Sequence, residues 1–119
     1  MSWKLSINSK LYNIKDLITD YKSGNHNGII KQSKGRANML SVPIQGDIVF
    51  VSCNKQKIMK CKVITNFIEY GNGEKDDKYN IGCYRNHATN NTYLYMEILE
   101  IYDNPETLKG NQRTWSKYK

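Results

Sequence analysis

Two runs rich in β-branched residues, 47–53 and 58–66, are joined by the short loop Asn54-Lys55-Gln56. That spacing leaves room for a hairpin loop and nothing larger, so the middle of the chain is an antiparallel strand pair. An isolated hairpin is marginal in water, and the rest of the chain must supply strands to cover it. Trp3, Leu5 and Ile7 alternate with Lys4 and Ser6, which predicts a first strand. Residues 28–30 open as a short strand and 79–84 as another. Residues 92–102 form the longest, in which Tyr93, Tyr95 and Glu97 alternate with Leu94, Met96 and Ile98.

One helix is predicted, over 14–22. Ile14, Leu17, Ile18 and Tyr21 fall on one helical face, Asn13 caps it, and Asp16 sits in its first turn. The Asn/Gly-rich stretch 23–28 stops it. Residues 37–40 allow one further helical turn, which Pro43 ends, and Gln45-Gly46-Asp47 makes a tight turn into the hairpin. Residues 68–79 and 85–91 read as exposed polar loops, and Pro105 as the start of a turn. The basic tail carries Trp115 and Tyr118, so it packs back on the domain. The expected fold is α+β, mostly β: a single domain over 1–119, built as a small β-barrel of about six strands with flanking helices.

With 13 aromatics and 39% hydrophobic residues, the chain has material for one core. Its longest apolar runs, such as 48–51, are too short to span a bilayer, and the N-terminus lacks an apolar signal core. No membrane partner is expected. Cysteines stand at 53, 61 and 83, an odd number without a CxxC pair. This fits neither a zinc site nor a disulfide framework, and predicts buried, reduced thiols in the cytoplasm or nucleus. The Asn, Lys, Ile and Tyr richness fits an AT-rich genome such as that of a virus or a parasite.

The charge is unevenly spread. Residues 1–63 hold eleven Lys/Arg against three Asp/Glu, residues 64–107 three against eight, and the tail 108–119 four against none. A net charge of +7 segregated in this way focuses a positive field and attracts a polyanion, so nucleic acid, DNA or RNA, is the expected partner. The acidic loop 69–77 makes a protein partner the alternative. Catalysis finds little support. His26 and His87 lie in separate Asn/Gly-rich loops, Glu74, Asp76 and Asp77 lack an EF-hand spacing, and there is neither a P-loop nor a dinucleotide fingerprint. No metal or cofactor is expected, and the chain reads as a binding module rather than an enzyme.

The order of these elements, with their residues, resembles the PUA-like superfamily, and within it the EVE and YTH-like group. The likeness runs over about residues 3–106. It starts at Trp3, passes the helix, and reaches Gly28-Ile29-Ile30-Lys31-Gln32-Ser33, followed by Lys34-Gly35-Arg36-Ala37-Asn38. Gln45-Gly46-Asp47-Ile48-Val49-Phe50-Val51-Ser52 is similar to the family's G-D-x-V-x-F-Y-x-S strand, and the last strand ending at Pro105 also fits. Ile29 and Ile30 stand where the family carries an aromatic, and Val51 where EVE domains often have Tyr. An aromatic cage must therefore draw on Trp3, Tyr84, Tyr93, Tyr95 or Trp115.

The resemblance implies recognition of nucleic acid, often with a modified base flipped into a pocket on the barrel. The expected base-binding residues are Trp3, Ile30, Lys31, Gln32, Ser33, Lys34, Arg36, Asn38, Ser52, Tyr84, Arg85, Asn86 and Trp115. Gln32, Ser33 and Asn38 would address a base edge, because amides and hydroxyls supply both donors and acceptors. Lys31, Lys34 and Arg36 would hold phosphates, and Arg85 a flanking one. Trp3 or Tyr84 would cover the base, while Trp115 is either a packing anchor or a stacking residue. A nuclease on the same barrel is the enzymatic alternative, as the related ASCH-type domains imply, with His26 or His87 doing acid–base work.

Overall fold

The hairpin lies at the centre of a seven-stranded mixed sheet. The computed structural model describes residues 1–7, 14–33, 41–69, 92–108 and 115–118. They form β1 (Ser2–Ile7), α1 (Ile14–Lys22), β2 (Ile29–Ser33), β3 (Ile48–Cys53), β4 (Gln56–Val63), β5 (Ile68–Glu69), β6 (Thr92–Thr107) and β7 (Trp115–Lys117). The strand order is β2-β6-β4-β3-β1-β7, with β5 also pairing β6. β1 runs parallel to β3, and every other pairing is antiparallel. Among the described residues β2 and β7 are edges, so strand pairing leaves the sheet open where a closed barrel was expected. No helix among them is long and apolar enough to cross a membrane.

Alternation makes the core. In β1 the side chains of Trp3, Leu5 and Ile7 are buried while those between them are half-buried. Val49 and Val51 of β3, Met59, Cys61 and Val63 of β4, and Leu94 and Met96 of β6 continue that inner face. Leu17 of α1 is fully buried against it, with Ile14, Ile18 and Tyr21 packed alongside. The tail does pack back: Trp115 in β7 pairs with Leu5, and its ring meets Phe67 edge-on at 6.1 Å. α1 ends in a Schellman motif. Gly24 has φ 82°, its amide donates to the Tyr21 carbonyl, and the Asn25 amide donates to that of Asp20.

The structure refines three expectations. β2 continues to Ser33, past the expected end of that strand. The hairpin turn is tighter than expected, because Gln56 already pairs with Cys53 and only Asn54 and Lys55 turn, both at positive φ. β6 does not stop at Pro105 but runs through it to Thr107. Its pairing with β4 slips between Lys57 and Met59, and residues 102–105 lie in that slip. A proline without an N–H is tolerated in a strand at such an irregularity. A second slip, between Lys60 and Cys61, turns Leu99 outward. The possible turn at 37–40, the strand at 79–84, the polar loop 85–91 and most of the acidic loop 69–77 lie outside the described residues.

Candidate functional site

Most of the expected base-binding residues that the structure describes serve the core. Trp3 is buried, and its ring N–H donates to Asp47 Oδ2 at 2.9 Å, so neither face of the indole is open to a base. Trp115 is buried on Phe67, a packing anchor rather than a stacking surface. Ile30 is a core residue. Ser52 is buried, and its hydroxyl donates to the Leu5 carbonyl. Lys31 was expected to hold a phosphate. Instead it is 7% exposed, with its ammonium 4.7 Å from the centre of the Tyr93 ring. Gln32 is fully buried opposite Leu94, on the side of β2 that carries Ile30. Ser33 ends β2, and its side chain lies outside the described residues, as do Lys34, Arg36, Asn38, Tyr84, Arg85 and Asn86.

Asp47 is the hub of the turn before β3. It is 7% exposed and accepts from Trp3 Nε1, from the Ile44 amide at 3.1 Å and from the Met1 ammonium at 3.3 Å. Burial pushes its carboxyl up, but these donors and the nearby ammonium outweigh burial and leave it below the ordinary Asp value. Its role is structural. Cys53 and Cys61 are buried and outside any disulfide, as expected, and burial pushes Cys61 up to about 12; Cys83 lies outside the described residues. His26 Nδ1 accepts the Gly28 amide in the loop after α1. Among the described residues no group of His, Cys, Asp or Glu is placed to hold a metal ion.

The outer face of the sheet is different in kind. Residues opposite one another across strands project to the same side. One row therefore reads Ser116, Lys4, Phe50, Lys60, Glu100 from β7 to β6, and the next reads Ser2, Ile48, Lys62, Glu97, Ile29 from β1 to β2. On this face the Phe50 and Tyr118 rings lie 4.7 Å apart, tilted by 40°. Lys57 sits with its ammonium 5.2 Å from the Phe50 centroid and 5.3 Å from that of Tyr102, and Lys4 lies 5.9 Å from that of Tyr118. Phe50, Tyr102 and Tyr118 are each half-buried.

Three aromatics and four lysines thus share one surface, and two of the lysines, Lys4 and Lys57, lie within cation–π range of the rings. Lys57 also pairs with Glu106 at 3.2 Å. Burial pulls its ammonium down, and the bond to Glu106, with the Glu106 charge and the Tyr118 and Tyr102 phenols close by, more than reverses that. Glu97, Glu100 and Glu106 form an acidic border along β6, while the β7-β1-β3-β4 side carries the cations. Sequence reasoning missed this surface because it looked for the site in polar loops. The alternation of Lys60 and Lys62 with Met59, Cys61 and Val63 was the available signal, whereas Lys57 joins this face only through the register slip beside it. No known protein-family model matches the chain, and no curated protein matches it either.

Proposed function

We propose that this chain is a nucleic-acid-binding module that takes a single strand on the outer face of β7, β1, β3 and β4. The observation that carries the reading is the Phe50–Tyr118–Tyr102 group interleaved with Lys4 and Lys57. Each ring offers a flat apolar face to a base, a contact of about 1–3 kcal/mol that tolerates any base. The ammonium groups between the rings meet the phosphates, and the net charge of +7 draws the polyanion in. Stacking needs unpaired bases, so a single strand fits this face better than a duplex.

The test is fluorescence anisotropy of labelled single-stranded RNA and DNA across a salt series. Binding is expected to weaken linearly in log–log form as salt rises. A Phe50→Ala, Tyr118→Ala double variant that keeps the parent circular dichroism should bind at least tenfold more weakly. Absence of binding at low salt, or binding unchanged in that folded variant, overturns the proposal.

A finer reading adds the PUA-like fold and a pocket that selects a modified base, with Gln32 addressing the base edge. Gln32 favours it: a glutamine at 0% exposure is uncommon, because this residue type is mostly found at the surface. Gln32→Ala should then lower discrimination between modified and unmodified bases and leave general affinity nearly unchanged. Equal discrimination in the folded variant rules the pocket out.

A further inference from the structure

The β3–β4 turn holds two successive non-glycine residues in the left-handed region, Asn54 at φ 52° and Lys55 at φ 64°. A two-residue turn of this kind favours Asn-Gly, and Asn54 fits its first position. Lys55 does not fit the second, since its Cβ crowds the backbone where glycine is free of strain. Nor is the turn loose, because the Lys55 carbonyl accepts the Leu108 amide at 2.7 Å and ties the tip to the end of β6. A strained residue that the surroundings hold in place calls for a reason in what its side chain does.

That side chain is exposed, and among the described residues no carboxylate pairs with it. It also continues a line. Lys62, Lys60 and Lys57 descend β4 on the outer face, and Lys55 stands at the end of that strand. The two-residue step from Lys62 to Lys60 advances about 7 Å, comparable with the separation of successive phosphates in an extended single strand, whereas Lys60 and Lys57 are three residues apart across the irregularity in β4. Lys57 is partly neutralised by Glu106. Among the described residues Lys55 is therefore the unshared cation at the hairpin end of the line.

Resting on the single-strand reading above, we propose that the nucleic-acid backbone tracks this lysine column along β4, and that Lys55 is its terminal phosphate contact, retained for its charge despite the strained turn. The proposal fixes the path of the strand: phosphates run along β4 on the side away from the β6 carboxylates, with the bases turned toward Phe50 and Tyr118.

Lys55→Gly separates stability from binding, because the two should move in opposite directions. Relief of strain should raise Tm by about 4 °C. Loss of the contact should weaken binding to single-stranded oligonucleotides about fivefold at low salt and flatten the log–log salt slope by about 0.7. Lys55→Arg, which keeps charge and strain, should retain the parent slope. If the parent binds and Lys55→Gly binds with the same affinity and slope, the terminal contact is wrong while the outer-face reading stands. A Lys55→Gly protein less stable than the parent removes the strain argument and overturns the inference. No binding by the parent overturns both.

Discussion

Asp47 shows how one carboxylate sets a local structure. Three donors converge on it from the chain start, from Trp3 and from the turn at Ile44. Asparagine keeps one acceptor oxygen and sets an NH2 against donors where the other stood, so at least one buried donor loses its acceptor, which costs more than the net gain of any one bond. Asp47→Asn should therefore lose about 2 kcal/mol of stability in urea titrations at neutral pH. The sign of the pH effect follows from the lowered carboxyl. Its folded value lies below the unfolded one, so its contribution is full above the ordinary Asp value of 3.8 and is lost as pH falls through the folded value. Urea midpoints measured from pH 6 to pH 2 should fall more steeply below pH 4 in the parent than in Asp47→Asn. Parallel curves would show that Asp47 does not govern acid stability.

At the scale of elements, the junction between α1 and β2 rests on Gly28. It has φ 80°, and a Cβ there would lie 2.8 Å from Tyr21 Cε1. Its carbonyl also accepts the Ile98 amide, so the strand and the helix meet at this residue. Gly28→Ala should cost about 2 kcal/mol, from left-handed strain and a displaced tyrosine ring. Thermal unfolding checks this, and an unchanged Tm would mean that the junction relaxes freely. Local patterns made several elements legible in the sequence: Ile14, Leu17, Ile18 and Tyr21 give α1 within its observed bounds, and β-branched alternation gives β1, β3 and β4. The long reach of β6 was not legible, because Pro105 is a stop signal unless the pairing slips beside it, and that slip is a tertiary event. The outer aromatic group was hidden for a similar reason. Phe50, Tyr102 and Tyr118 are far apart in sequence and meet through the parallel β1–β3 pairing, the return of β7 and the irregular β4–β6 register. A motif search favours polar loops, whereas this surface is a property of register.

For the whole molecule, the division of charge in the sequence becomes a division across one face of the sheet. Lys60 lies opposite Glu100, and Lys62 opposite Glu97. As cross-strand pairs these are exposed or half-exposed and contribute only a few tenths of a kcal/mol each to folding. Stability alone therefore gives little reason for cations on β4 and carboxylates on β6. A polyanion resting on β4 gives a stronger one, since the carboxylates repel it from β6 and confine it to the side of Phe50 and Tyr118. Two double variants test this with opposite signs. Lys60→Ala, Lys62→Ala should weaken single-strand binding by tenfold or more at low salt, while Glu97→Gln, Glu100→Gln should strengthen it several-fold. Both differences should shrink toward nothing near 1 M salt, where the screening length falls to about 3 Å, and both proteins should unfold within a few degrees of the parent. If the carboxylate variant binds no better than the parent, the border along β6 does not face the ligand. If both variants change affinity in the same direction, the effect comes from the broken cross-strand pairs and not from a strand lying along β4.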